Sequence, residues 1–228
     1  MSKGVWIGVI VLVGMFCWGM SYVLTPNDGD AEFQKMLDAM KQVKSFRGAF
    51  VGTTPSTQHS ERIWEVDCNQ GIVRKQSQDL PIGENPVETK EDMLLVGSDQ
   101  KYTRTSDGSW EKTKYTSKLY SASWYCDAIA QGTVRDLLPD VRAELKSATF
   151  GKGDKKTVNG VRCQDWDFTM HSATTQGLKG SVCIGLEDHL PYEMTTIAGH
   201  YSYSDYNRPL QFELPDGLQP ASSSEGTN

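Results

Sequence analysis

Alternation of residue types across 158–193 constrains the fold of this chain more than any other feature. Within 161–170 the even positions end in three large apolar residues, whereas the odd positions carry a cysteine and two aspartates. Residues 181–187 alternate in the same way after a polar link at 171–177. Because a period of two is that of a strand with two unlike faces, the two runs predict a β-hairpin. Its apolar face consists of Trp166, Phe168, Met170, Val182, Ile184 and Leu186.

The two cysteines of this hairpin predict its register. Folding the hairpin about residue 173 places Cys163 directly opposite Cys183, both on the less apolar face and within reach of a disulfide. The same register brings all six large apolar side chains to one surface. Two independent signals therefore agree on one pairing of the strands.

The remaining cysteines indicate a second disulfide. Of the five cysteines, Cys17 lies in an apolar N-terminal run and four follow it. An even number beyond such a run is typical of two disulfides formed in an oxidising compartment, which leaves Cys68 to pair with Cys126. Cys68 shares a predicted strand face with Trp64 and Val66, and Cys126 begins a helix that would cover that face. The alternative is four unpaired, buried thiols.

The N-terminal run predicts a membrane anchor. Residues 5–24, which begin with Val5 and end with Leu24, carry no charge and are long enough to cross a hydrocarbon layer as one helix. Lys3 precedes the run and acidic residues follow it, so we expect a cytoplasmic N-terminus. This predicts a single-pass protein of the inner (cytoplasmic) membrane with a periplasmic, extracytoplasmic domain. A cleaved signal peptide is the alternative.

Length and charge are those of one folded domain with an appended membrane segment. The 228 residues, 38% of them hydrophobic, can bury a substantial core. We expect a cytoplasmic N-terminus at 1–4, a transmembrane helix at 5–24, a linker at 25–30, a β-sheet domain at 31–215 and a flexible tail at 216–228. The net charge of -6 disfavours a nucleic-acid partner, because its phosphates would be repelled.

Apolar residues at helical spacing predict two helices in the domain. The first has Asp30 as its N-cap and one apolar stripe, formed by Phe33, Met36, Leu37, Met40 and Val43. The second covers 121–138 and is stopped by Pro139. Period-two patterns between turn residues predict strands elsewhere, at 46–50, 62–68, 72–77, 93–96, 101–105, 143–150, 192–198, 201–206 and 210–214, with a polar turn at 151–156.

The sequence contains no motif for catalysis or metal binding. Its four histidines lack the HExxH spacing, no CxxC pair occurs, and no Gly-x-Ser-x-Gly elbow is present. The histidines fall in predicted turns or at strand ends, where solvated side chains are expected. We therefore expect no enzymatic activity, no metal site and no cofactor.

Four short motifs have counterparts in a known group of proteins. They follow a helix that ends in Val43-Lys44-Ser45-Phe46, and they are Tyr102-x-Arg104 with Asp107-Gly108-Ser109-Trp110, Val158-Asn159-Gly160-Val161, Asp188-x-Leu190-Pro191-Tyr192, and Tyr203-Ser204-Asp205-Tyr206-Asn207-Arg208-Pro209. Together they resemble the lipoprotein-carrier superfamily of LolA, LolB and LppX, and the LppX-like branch fits best. The resemblance covers about 31–215. It implies an α+β fold in which a strongly curved antiparallel sheet, a half-barrel with covering helices, holds acyl chains in its concavity.

These patterns predict a membrane-anchored extracytoplasmic domain that binds a lipid or another hydrophobic ligand without catalysis. The ligand would contact the apolar sheet face and the helix stripe, at Trp64, Val66, Trp166, Phe168, Val182, Ile184, Met36 and Met40. The alternative is an interaction module with a filled core, which serves as an accessory or assembly subunit of a larger membrane complex or as an envelope sensor. A ligand binder needs a cavity of roughly several hundred Å³, whereas an interaction module packs to ordinary density.

Overall fold

The computed structural model describes residues 28–54, 56–83, 85–113, 121–131, 148–170 and 177–218. Within them, eleven strands form one antiparallel sheet and two helices accompany it. The helices are α1 (Asp28–Met40) and α2 (Ala122–Ala130). The strands are β1 (Ser45–Thr54), β2 (Thr57–Asp67), β3 (Ile72–Pro81), β4 (Thr89–Val96), β5 (Gln100–Arg104), β6 (Trp110–Thr113), β7 (Thr149–Val158), β8 (Val161–Met170), β9 (Leu178–Gly185), β10 (Pro191–Thr196) and β11 (Gly199–Ser204).

The first and the last strand of the chain pair in the middle of the sheet. The spatial order is β6-β5-β4-β3-β2-β1-β11-β10-β9-β8-β7. Two meanders, β1–β6 and β7–β11, are therefore joined where β1 runs beside β11, with Gly48 opposite Tyr203. This is the expected antiparallel α+β architecture, and the half-barrel curvature stays a prediction.

Different parts of the chain cover the two faces of the sheet. We call the inner face the one that bears Phe46, Trp64 and Phe168, because α1 and α2 pack on it. On the opposite, outer face, the C-terminal segment 212–218 packs over a second apolar cluster. This outer cluster contains Ile72, Leu94 and Tyr102, with Val96, Trp110, Phe212, Leu214 and Leu218 packed against it.

The register of the β8–β9 hairpin differs from the prediction by two residues. Cys163 lies opposite Gly185, and Cys183 lies opposite Asp165, so the cysteines are diagonal neighbours. A two-residue shift keeps every side chain on its predicted face, which is why the facial pattern alone could not detect it. The observed register places Phe168 opposite Gly180, where a β-carbon would come within 2.5 Å of the Phe168 ring.

The two helices begin or end at residues other than those predicted. Helix α1 begins at Asp28, ahead of the predicted N-cap, so that 28–30 are helical and do not belong to a linker. It ends at Met40, and Val43 is buried beyond its last turn. Helix α2 has Ser121 as its N-cap, whose side chain accepts a hydrogen bond from the Trp124 N–H. The predicted continuation of α2 to residue 138 lies outside the described residues.

One predicted turn and one predicted strand are wrong. The predicted polar turn at 151–156 belongs instead to β7, where a bulge between Lys152 and Lys155 accommodates one extra residue. Residues 210–214 form no strand. The Leu210 N–H donates to Asp67 and the Leu210 carbonyl accepts from Gln70, so side chains replace the backbone partners that a strand would need.

The predicted membrane helix at 5–24 lies outside the described residues, as does the end of the tail from 219 onward. In the part of the chain that the structure describes, neither helix is long and apolar enough to span a membrane.

Candidate functional site

All eight residues that were predicted to contact a ligand lie in one buried cluster between the inner face and the helices. We call these eight residues the inner cluster. Their side chains come from α1, β2, β8 and β9, which are distant in sequence. The most exposed of the eight, Trp64 and Trp166, are each only 5% exposed. The sheet and helices therefore bring the predicted residues together, and they bury them against one another.

Helix α1 presents its apolar stripe to the sheet. Phe33, Met36 and Met40 recur at helical spacing and are buried. The Phe33 ring centroid lies 4.4 Å from that of Phe150 and 6.2 Å, edge to face, from that of Phe168. Aromatic pairs at these distances are favourable beyond the area that they bury. The stripe therefore fills the space above β7 and β8.

A polar contact joins α1 to the turn between β9 and β10. Glu32 Oε1 lies 2.6 Å from His189 Nδ1, and Glu32 also pairs with Lys35. Burial raises the pKa of Glu32, but hydrogen bonds from His189 and Lys35 outweigh it, and the pKa lies below its ordinary value. The ionised carboxylate is therefore the form that the folded state favours.

Helix α2 is attached to the sheet by a disulfide and by a lysine. Cys126 bonds Cys68, which follows β2, with a Cα–Cα distance of 5.5 Å. Lys75 on β3 donates a hydrogen bond to the Tyr125 hydroxyl and lies 4.7 Å from the centroid of its ring. Both attachments hold α2 over the half of the inner face that β2, β3 and β4 form.

The second disulfide joins two adjacent strands. Cys163 and Cys183 are fully buried and their Cα atoms lie 5.5 Å apart. Beside this disulfide, Lys156 Nζ lies 2.6 Å from Glu193 and 3.4 Å from Asp165. The two disulfides are the pairs that the sequence predicts, and such bonds are typical of an oxidising compartment.

The inner cluster contains a buried polar atom that has no hydrogen-bond partner among the described residues. The indole Nε1 of Trp166 is buried and makes no hydrogen bond in the described structure. Lys152 lies 5.7 Å from the centroid of the same ring, where it contacts the π-face and not the N–H. Since buried indole N–H groups usually find an acceptor, this atom is the clearest unsatisfied donor of the site.

Two grooves are bounded by described residues, and both differ from the predicted apolar cavity. The inner groove, about 490 Å³, continues from the inner cluster along β2–β4 and is lined by Arg62, Trp64, Lys75, Gln76, Ser77, Asp79, Glu91 and Met93. The outer groove, about 690 Å³, lies across β1–β5 and includes Val51 and Ile63. Of the eight predicted contacts, Trp64 alone lines either of these described grooves.

The charged lining of the inner groove was not predicted from the sequence. On the inner face, Arg62, Ser77 and Glu91 lie one position beyond Trp64, Lys75 and Met93, toward the end of the sheet where β2 and β4 begin and β3 ends. The sequence does contain a signal for this lining, because the inner-face positions of these strands change from apolar to charged residues along their length. Within the described residues, no group of histidine, cysteine, aspartate and glutamate side chains could hold a metal ion.

Comparison with known proteins gives similarity at the level of structure. No protein-family model matches the sequence, and no curated protein matches it. A chain of the Pseudomonas aeruginosa MucA/MucB complex is 13% identical with a TM-score of 0.41, and the match covers 81% of this chain and 59% of that one. A MucB structure is 15% identical with a TM-score of 0.42, with 86% of this chain and 64% of that chain covered.

A LolA superfamily protein from Nitrosomonas europaea also matches. It is 12% identical with a TM-score of 0.25, and the match covers 80% of this chain and 94% of that one. The present chain spans less than two thirds of the chains that it matches in three MucB-containing structures, between 59% and 64% of their length.

Proposed function

We propose that this protein is a non-catalytic interaction module, anchored in the inner membrane by residues 5–24, with its β-sheet domain on the extracytoplasmic side. Its hydrophobic core is filled, and its partner is a protein of a membrane complex. The observation that carries the proposal is the burial of the inner cluster. Residues that would line a lipid cavity pack against one another instead, at most 5% exposed.

The polar character of the inner groove supports the same proposal. Its lining includes two cations and two carboxylates, Arg62, Lys75, Asp79 and Glu91. Such a surface suits hydrogen bonds and ion pairs with a protein chain, whereas an acyl chain requires an apolar lining. Two disulfides restrain the sheet and α2, which keeps a binding surface preorganised.

Native mass spectrometry of the full chain, released from gently dissolved membranes, tests the proposal. Lipid that coats the membrane helix is expected in every form of the protein. The proposal expects the same lipid adducts in wild type, in Trp166→Ala and in the outer-face control Ile63→Ala. A lipid that wild type and the control retain, and that Trp166→Ala loses or exchanges, would contradict it.

A hydrophobic-ligand binder is the second candidate, and the unsatisfied Trp166 Nε1 favours it. A lipid carbonyl at this atom would accept the hydrogen bond that the described structure does not supply. Trp166→Phe separates the two candidates, because it removes the donor and keeps most of the apolar volume. A binder would lose affinity for a carbonyl-bearing lipid in this variant, whereas an interaction module would keep its partner.

A further inference from the structure

Three large aliphatic side chains are exposed in turns of the sheet. Ile82 is 62% exposed and Val87 74% exposed, both between β3 and β4, and Ile197 is 79% exposed between β10 and β11. Single exposed apolar residues are common on protein surfaces, so exposure alone implies nothing. Their shared location is the informative observation.

The strand register places all three at one end of the sheet. A continuous row of paired residues crosses nine strands, from β7 to β4, and consists of Phe150, Phe168, Gly180, Thr196, Gly199, Gly52, Ser60, Asp79 and Thr89. Ile197 directly follows Thr196 in this row. Ile82 and Val87 lie between Asp79 and Thr89, so all three extend beyond the row on the same side.

Helix α1 also begins at this row. Gly29 abuts Phe150 so closely that a β-carbon at Gly29 would lie 2.2 Å from the Phe150 Cβ. Phe150 is the β7 member of the row. The chain therefore enters the domain at the end of the sheet that carries the three exposed aliphatic residues.

Only a short stretch of chain connects the apolar run at 5–24 to α1, and its length limits the distance between them. Leu24 ends the uncharged run 5–24, and Asp28 begins α1. Four residue steps reach at most about 14 Å, even when fully extended. If residues 5–24 span the membrane, the first turn of α1 must lie within that distance of the end of the span.

We propose that this end of the sheet lies on the membrane surface, with Ile82, Val87 and Ile197 inserted among the lipids at the interface. The inference rests on the proposed membrane anchor and adds an orientation and a lipid-contacting surface to it. Burial of aliphatic side chains at the lipid interface is favourable in proportion to the apolar area removed from water. The opposite end, which carries the β4–β5 turn with the exposed Asp99, would face away from the membrane.

Site-directed spin labelling of the full chain tests this orientation. Cys17→Ser removes the fifth cysteine, and a nitroxide is attached at Val87→Cys, at Ile197→Cys or, as control, at Asp99→Cys in the β4–β5 turn. The protein is reconstituted in vesicles of phosphatidylethanolamine and phosphatidylglycerol. Collision rates are measured with oxygen, which concentrates in lipid, and with a water-soluble nickel chelate. Peptide mapping verifies that both disulfides are intact in each variant.

The proposal expects positions 87 and 197 to collide more with oxygen and position 99 to collide more with the chelate. Greater access to the chelate than to oxygen at all three positions overturns the proposal, because the two turns then lie in water, where only a protein partner could cover them. A salt wash of the same vesicles tests the anchor separately. Release of the protein contradicts the anchor and this inference together, whereas retention with water-exposed turns contradicts the inference alone.

Discussion

Arg74 donates two parallel hydrogen bonds to Asp92 on the outer face of the sheet. Nε lies 3.0 Å from Oδ1 and Nη2 lies 2.7 Å from Oδ2. The pair is the centre of a row of alternating charges across neighbouring strands, formed by Asp205, Arg47, Glu65, Arg74, Asp92, Arg104 and Glu213. The row links β1, β2, β3, β4 and β5 with the C-terminal segment. It therefore stabilises the face that the helices do not cover.

We expect Arg74→Met to reduce the free energy of unfolding by about 1–3 kcal/mol, because Asp92 loses both charge-assisted hydrogen bonds while it remains largely shielded from water. Urea unfolding followed by circular dichroism measures the loss. Lys90→Met is the matched control, since the exposed Lys90–Glu88 pair should contribute about 0–1 kcal/mol. Equal losses in the two variants would show that the row is unimportant.

Trp166→Ala should cost about 3–5 kcal/mol of unfolding free energy, because it leaves a cavity in the packed inner cluster. Ile63→Ala, at a half-exposed position on the outer face, should cost much less. The same urea titration compares the two variants. A small loss for Trp166→Ala would mean that the indole lines an open space and would favour the hydrophobic-ligand candidate.

The two disulfides should stabilise the fold by different amounts. Cys68–Cys126 encloses a sequence separation of 58 residues and Cys163–Cys183 one of 20 residues. The chain-entropy estimate makes the longer loop more stabilising by roughly 1 kcal/mol. The measurement compares oxidised and reduced protein in Cys163→Ala/Cys183→Ala and in Cys68→Ala/Cys126→Ala, so that each variant retains one bond. A larger effect for Cys163–Cys183 would contradict the estimate.

Stability should depend on acid pH through Glu32. Its pKa in the folded state is lower than the ordinary value of 4.5, so the unfolded chain binds the proton more readily. The contribution of Glu32 is present above pH 4.5 and is lost as the pH falls through the folded-state pKa. Unfolding free energies of wild type and Glu32→Gln should differ near neutral pH and converge in acid. Glu187→Gln, at an exposed position of the β9–β10 turn, is the control for the removal of one carboxylate.

Gly29→Ala should destabilise the protein although alanine favours helices. Alanine in a helix interior is ordinarily better than glycine by about 1 kcal/mol. At Gly29 the new methyl group would lie 2.2 Å from the Phe150 Cβ, so α1 must move away from β7. Thermal unfolding measures the outcome. Gly71→Ala in the β2–β3 turn is the comparison variant, because Gly71 has open space for a β-carbon but a positive φ of 65°. A higher melting temperature for Gly29→Ala would place α1 elsewhere.

Local patterns in the sequence determined much of the secondary structure. Period-two alternation predicted both faces of β8 and β9, because neighbouring side chains on a strand point to opposite sides whatever the strand pairs with. Helical spacing predicted the stripe of Phe33, Met36 and Met40, because residues three or four positions apart lie on the same face of a helix. The four cysteines beyond the apolar run led to the two disulfide pairs.

Tertiary structure decided the register, the limits of the elements and the content of the core. A shift of two residues preserves the faces of a hairpin, so the fit of Phe168 over Gly180 was needed to choose between registers. Whether Trp166 lines a cavity or fills a core depends on how closely α1 approaches the sheet. That distance is set by the contact of Gly29 with Phe150, between residues more than a hundred positions apart, which periodicity along the chain does not encode.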